Sequence, residues 1–400
     1  MKKTIVAFVV VAACGTGGYF VNNLMIENVA QELIRSTERL AHDISDSYID
    51  VQVIESKLIG DKVAQKFAIY LKDGAERHSQ PVYLDHDATV ALFGTKVEGQ
   101  LGLPKDKGLS AEFIREVTSF NENIQYTLNP HNKSIDLQSS LNVGVINDGS
   151  RSQLKLGEIN FNLVGSLEDN SSQFTISSID FSERKESVHV GKVSLDTVVK
   201  PTLQSSIFTI DEGQLVVRKG GMNISDIQLK TEAVVSDKTS LHYNWTVGTF
   251  DLDSPDITLL SSKFGMQGSV EGLNTTTLMD LGTALESNNE SRIEDLFKEI
   301  LGDGIAFSNI NLYLNDSSLG GHITLNKANY KTVESYEFDD LLQRSINSEL
   351  DIVVTPELMD KFKVPSHARK KLWVKDENAN YTTKFKTALG KVTINDIEVN

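Results

Sequence analysis

The chain has 400 residues, with 55 acidic against 39 basic side chains and a formal net charge of -16. Such a surface repels nucleic acid and anionic head groups, which argues against tight binding of polyanions. The single cysteine, Cys14, lies near the start, so the remainder has no disulfide, no Cys-ligated metal and no thiol nucleophile and depends on its core for stability.

Lys2 and Lys3 precede the apolar run Thr4–Val21, which at about 1.5 Å per residue covers roughly 27 Å, just enough for one bilayer crossing. No positive charge follows until Arg35, so the positive-inside rule leaves the N-terminus in the cytoplasm and exports the rest. Three readings stay open. The run is an uncleaved signal anchor, or a lipoprotein signal ending at Cys14 within Val11-Ala12-Ala13-Cys14, or an ordinary cleaved signal. The apolar stretch continues through Gly15 to Val21 where a lipoprotein would begin a polar tether, which favours the anchor.

Residues 1–21 are thus expected to form a transmembrane helix, 22–46 an amphipathic helix and 47–400 a β-rich exported domain. The helix follows from Leu24, Met25, Val29, Leu33 and Leu40 at helical spacing, with Glu27, Glu32, Arg35 and Glu38 on other faces. From Ile49 the period becomes two, in Ile49, Val51 and Val53 and again in Phe67, Ile69 and Leu71. A short helix is predicted from Ser110 through Phe113, Ile114 and Val117. Alternating rows then follow at Ile135–Val145 and at Leu154–Leu163, and Leu241, Tyr243, Trp245 and Val247 alternate so cleanly with polar residues that one face is expected buried and the other wet.

A six-residue pattern, apolar-x-x-apolar-polar-apolar, starts at Ile176, Val190, Ile224, Phe307 and Ile394. Its three-residue step flips the pleat once, as a bulge or bend would. The pattern reads either as a stacked repeat that builds a long curved sheet or as a chance recurrence in β-rich sequence. Helices are predicted at Asn274–Leu285, Ser291–Leu301, Asp339–Leu350 and Pro356–Phe362, and a hairpin around Leu389-Gly390-Lys391. The fold class is α+β, dominated by antiparallel sheet, with a few amphipathic helices.

No nucleophile elbow, phosphate-binding or dinucleotide-binding glycine pattern, or metalloprotease motif occurs. Among the eight scattered histidines only Asp85-His86-Asp87 is a local cluster. On a strand the two carboxylates share one face and His86 the other, so the three do not converge on an ion, and a solvated loop or edge is expected. Asp43, Asp46 and Asp50 lack the glycine and closing Glu of a calcium loop. Lys361, Lys363, Arg369, Lys370, Lys371 and Lys375 form the one basic cluster, read as a solvated helix face or a contact for anionic lipid or an acidic surface. No catalytic, cofactor-binding or metal-ligating residue is assigned, and Cys14 is the one modification candidate.

The Lys-bearing start, the anchor ending in Thr16-Gly17-Gly18-Tyr19, the alternating strands, the segment from Leu350 to Met359 and the closing Gly390-Lys-Val-Thr-Ile-Asn-Asp-Ile397 together resemble the YdgA-like bacterial proteins, domain-of-unknown-function family 945. The resemblance spans nearly the whole chain. Where that family often has His-Gly-Pro near the start of its sheet, this chain has Asp85-His86-Asp87-Ala88. The resemblance implies a single-pass inner-membrane protein facing the periplasm, with no enzymatic activity and no catalytic residues to carry over. The expected role is therefore a membrane-tethered, non-enzymatic one, with an envelope protein or lipid as partner. The alternative is a carrier of lipid or another hydrophobic ligand in a β-sheet groove, by fold analogy with AsmA-like envelope proteins.

Overall fold

The computed structural model describes residues 26–43, 45, 49–59, 61–73, 76–77, 80–91, 95–104, 108, 117–130, 132–148, 152–166, 168–254, 258–286, 289–330, 335–361 and 363–399. The apolar run Thr4–Val21, Cys14 and most of the helix predicted from Ser110 lie outside these residues. Among the described residues no helix is long and apolar enough to cross a membrane. The chain divides into two compact units, Met1–Val199 and Lys200–Asn400.

The first unit opens with helix α1 (Ile26–Asp43). Strands β1 (Ile49–Ile59), β2 (Lys62–Asp73), β3 (Glu76–Arg77), β4 (Val82–Val90), β5 (Val97–Gly102), β6 (Asn121–Asn129) and β7 (Ser134–Asn142) follow. Next come β8 (Gly144–Asp148), β9 (Ser152–Leu156), β10 (Ile159–Gly165), β11 (Asn170–Ile176), β12 (Ile179–Glu183), β13 (Glu186–Val190) and β14 (Val193–Lys200). Every pairing is antiparallel. One ladder runs β1-β2-β4-β5-β6-β7-β10-β11-β14, with the short β3 also on β2. A second runs β8-β9-β12-β13.

The chain passes between the two ladders through short bends. Gly144 turns the first at φ +65°, a left-handed conformation that favours glycine. The bends after β9 and β11 are tied together by Gly157 N–H donating to Ser178 O at 2.8 Å and Ser177 N–H to Glu158 O at 2.9 Å.

The strict alternation of β4 to β7 buries one face of the first ladder, and α1 covers that face. Val29, Leu33 and Ala41, four or eight residues apart on the helix, pack with Val63, Phe67, Leu84, Val97, Leu128 and Leu137, all buried. Burial of such side chains contributes roughly 1.5–3 kcal/mol each, so this face holds the unit together.

The second unit is a meander. Strands β15 (Leu203–Val217), β16 (Gly220–Val234), β17 (Lys238–Asp253), β18 (Thr258–Asn274), β19 (Ile305–Leu314) and β20 (Ser317–Leu325) pair in sequence order. β21 (Ile346–Val354) follows β20 in the ladder, then β23 (Tyr381–Ala388), β24 (Lys391–Ile394) and β25 (Ile397–Val399), with β22 (Val374–Lys375) also on β23. Helices α2 (Thr275–Glu286) and α3 (Glu290–Gly302) join β18 to β19, and α4 (Ser335–Ser345) joins β20 to β21. Between β21 and β22 lie the short α5 (Pro356–Lys361) and α6 (Ser366–Leu372).

The fold is thus mostly antiparallel sheet with few helices, and α1, α2, α3 and α5 fall where the sequence places them. One helix, predicted over Asp339–Leu350, is shifted at both ends and starts at Ser335. The helix predicted to reach Leu350 stops at Ser345, whose hydroxyl donates back to Leu341 O at 2.7 Å. Ile346–Leu350 instead pairs residue by residue with Leu325–Gly321, because the apolar spacing there serves a strand.

The five six-residue patterns have three roles. Those at Ile176 and Val190 span bends between ladders. That at Phe307 is a register shift around Asn309, and that at Ile224 is a one-residue gap in the pairing at Asp226 with the register kept; both residues have φ +53°. The last is a tight hairpin through Asn395 and Asp396, at φ +50° and +64°. No single unit repeats among them.

Candidate functional site

The register of the second unit lines up one apolar side chain per strand. Phe208 pairs with Leu229, Leu229 with Trp245, Trp245 with Met266, Met266 with Leu312, Leu312 with Leu319, and Leu319 with Ile352. At about 4.8 Å per strand, this row from β15 to β21 spans roughly 29 Å. Beside it runs a second row, Ile210, Ile227, Val247, Phe264 and Leu314. Trp245 and Phe264 meet edge to face across the two rows, with ring centroids 5.1 Å apart.

The two ends of this face differ. Toward β18–β20, helices α2 and α3 cover it: Leu281, Ala284, Leu296 and Ile300 pack on Ile305, Leu325, Val270 and Phe307. Among the described residues of this unit, that helix-covered cluster includes no member of the first row. Leu229 is 38% and Trp245 36% exposed, and the other five are only partly buried. Contiguous exposed apolar surface of this kind marks sites rather than ordinary surface. The opposite face is polar, with Lys230, Asn244, Gln267 and Asn311 in one row. One apolar face, half open, is thus the arrangement across these strands. A similar row of Ile146, Leu154, Phe181 and Val188 crosses the second ladder of the first unit, with Phe181 38% exposed.

Asp85-His86-Asp87 lies in neither a loop nor an edge. It sits in β4, between β2 and β5, and the pleat turns His86 into the core while Asp85 and Asp87 face the other way. His86 is 3% exposed. Its Nδ1 lies 3.0 Å from Gln65 Oε1 and its Nε2 2.7 Å from the Tyr126 hydroxyl. Thr37 of α1 reaches the same Gln65 oxygen at 2.9 Å, and Gln65 Nε2 donates to Ser56 at 3.3 Å. Burial lowers the His86 pKa from 6.5 to about 4 and pushes the Tyr126 phenol well above its usual range. The group is a neutral polar chain clamping α1 to the sheet.

The basic cluster separates into parts with different duties. Arg369 is structural: it donates to Val364 O at 2.8 Å, Asp360 Oδ1 at 2.6 Å and Met359 O at 3.1 Å. The Asp360 hydrogen bond raises its pKa. Lys361 pairs with Glu357 at 2.9 Å. Lys363, Lys370 and Lys375 are exposed and pair with no carboxylate among the described residues. Of the three aspartates near the end of α1, the described Asp50 carboxylate accepts from Gln52 at 3.3 Å.

A concavity of about 550 Å³ lies on the polar face of the first ladder between Asp87, Glu98, Gln100, Gln125, Asp136 and Gln138. Sequence reasoning missed the underlying row: Asp87, Gln100, Gln125, Gln138, Asn162, Gln173 and Asp196 are consecutive register partners on seven strands. His189 and Asp180 pair at 2.5 Å, but Ser178 contacts the same carboxylate rather than the imidazole, an order that does not activate a serine nucleophile. Among the described residues no group of three or more His, Cys, Asp or Glu is placed to hold a metal ion.

Compared with known protein families, curated proteins and solved structures, the chain has no match.

Proposed function

We propose that the chain is a membrane-tethered, non-enzymatic protein of the bacterial envelope, and that the row from Phe208 to Ile352 receives a hydrophobic chain, such as the acyl chain of a lipid. The tether is Thr4–Val21, with its N-terminus in the cytoplasm and both units in the periplasm, as the likeness to YdgA-like proteins also implies. The observation that carries the ligand reading is the half-open apolar row, with Trp245 and Leu229 at its centre. Its length of roughly 29 Å exceeds the hydrocarbon depth of one leaflet, about 15 Å, so an extended acyl chain has a full-length track. A sheet that is long and curved would wrap such a chain further. The second reading, a surface for an envelope protein, draws on the same row as a docking face.

A photo-activatable residue at Leu229 of the full chain, crosslinked in a bacterial host, separates these readings. Lipid adducts at Leu229 and none at Asn244 on the opposite face support the carrier. Protein adducts alone favour the docking face, and equal labelling at both positions sinks the site.

A further inference from the structure

From Lys361 to Lys375 the sequence holds six basic residues and no acidic one, in a chain of net charge -16. Trp373 and Val374 interrupt that run, and Trp373 ends α6 with its N–H donating to Arg369 O at 3.2 Å. Val374 is 57% exposed. The fold brings a second apolar side chain to the same corner. Asn395, in the tight turn between β24 and β25, donates from its side chain to Leu372 O at 3.0 Å and accepts from Lys384 N–H at 2.9 Å. It thereby holds the turn against the end of α6, and Ile397, two residues on, is 69% exposed. Arg369 and Lys375 both lie over the Tyr381 ring, at 5.9 Å and 5.2 Å from its centroid, which fixes β22 beside the helix.

We propose that this corner, formed by Lys363, Lys370, Trp373, Val374, Lys375 and Ile397, docks on an anionic phospholipid bilayer surface. Charge complementarity selects that occupant. Lysines with no carboxylate partner among the described residues, beside exposed apolar side chains and an indole, are the composition of an interfacial membrane contact, in which apolar groups enter the headgroup boundary and cations meet anionic lipid. The remaining acidic surface would be repelled, so the corner sets the orientation. Asp376 and Glu377, just beyond Lys375, and Asp396 in the turn oppose the attraction, which Trp373, Val374 and Ile397 supplement with apolar contact. The inference stands independently of a ligand on the Phe208–Ile352 row.

Only two tryptophans occur, Trp373 in this corner and Trp245 in the row, so each reports one site. The full chain carrying Trp245→Phe is reconstituted in vesicles of zwitterionic phospholipid, or of zwitterionic mixed with anionic phospholipid, with bromine-labelled acyl chains. Trp373 fluorescence is expected to be quenched in the anionic vesicles, little in the zwitterionic ones, and to recover in high salt. Lys363→Glu, Lys370→Glu and Lys375→Glu together are expected to weaken the contact on the order of 100-fold. Quenching that is equal in both vesicles, absent in both, or unchanged by the three substitutions would overturn the proposal; absence in both is also the result expected of a corner that serves an acidic protein instead.

A parallel Trp373→Phe chain follows Trp245 with dispersed brominated lipid. Quenching there without any at Trp373 leaves the row and removes the docking corner; the converse removes the row alone.

Discussion

The Tyr126 hydroxyl lies 2.7 Å from His86 Nε2 although the two residues belong to strands that do not pair. Strand β5 runs between them, and Gly99 is the register partner of both Tyr126 and Ala88. A methyl group on Gly99 would overlap the Tyr126 ring, so the missing side chain is what lets the phenol cross one strand to reach the imidazole. The contact fixes the tautomer: the phenol donates to Nε2, and Nδ1–H donates to Gln65. Only a neutral His86 satisfies both partners in this way.

Tyr126→Phe removes the donor and leaves a buried imidazole nitrogen unsatisfied, an expected loss of about 1–3 kcal/mol in urea unfolding. Gly99→Ala is expected to cost at least as much by displacing the ring. In the Tyr126→Phe background its extra cost should persist, since the ring still fills the space. A Gly99→Ala protein as stable as the parent would show that the ring does not occupy that place.

Acid should act through the same residue. With His86 lowered from 6.5 to about 4, the unfolded chain binds a proton between those values and the folded chain does not. This contribution is complete above pH 6.5 and is lost as pH falls toward 4, by roughly 3 kcal/mol in all. The carboxylates titrate over part of the same range, so the measurement is the difference between parent and His86→Gln. The parent should show the steeper fall in denaturation midpoint over this window. Equal slopes would mean that His86 is protonated in the fold.

Core and row should respond differently to truncation. Leu296, on the buried face of α3, is 1% exposed, and Leu296→Ala is expected to cost about 2–5 kcal/mol. Leu229→Ser, in the half-open row, should change stability by about 1 kcal/mol or less while abolishing lipid adducts from a photo-activatable residue at Trp245. A large loss of stability at Leu229 would mark the row as ordinary core.

Arg369→Met removes three hydrogen bonds that hold α5, the intervening loop and α6 together. Proteolysis in the segment Val364–Ser366 is expected to accelerate, with unfolding of the rest unchanged. Cleavage at the parental rate would show that the loop is held by something else.

The β-rich class was legible because side-chain alternation follows directly from the pleat: Val63, Phe67 and Ile69 or Leu137 and Leu141 need no partner to be recognised. The buried polar chain left a fainter trace. Thr37, Gln65, His86 and Tyr126 each occupy an apolar phase of their own element, between Leu33 and Ala41, Val63 and Phe67, Leu84 and Ala88, and Ile124 and Leu128. A polar residue in an apolar phase asks for a buried partner, but which four belong together depends on register, and register is a property of pairs of strands. The same holds for the open row. Trp245 and Leu241 alternate alike in sequence, and only the placement of α2 and α3 decides which end of that face is covered.

Pairing order also separates the two units in time. In the second, β16 through β21 each join the strand made just before them, so a chain emerging N-terminus first from the ribosome or a translocation pore finds a neighbour for each of these strands as it appears. In the first, β7 waits for β10 and β11 for β14 while the intervening strands build a different ladder. Its edges stay open until residue 193 and beyond has been delivered, which makes it the stretch most in need of a chaperone while it waits.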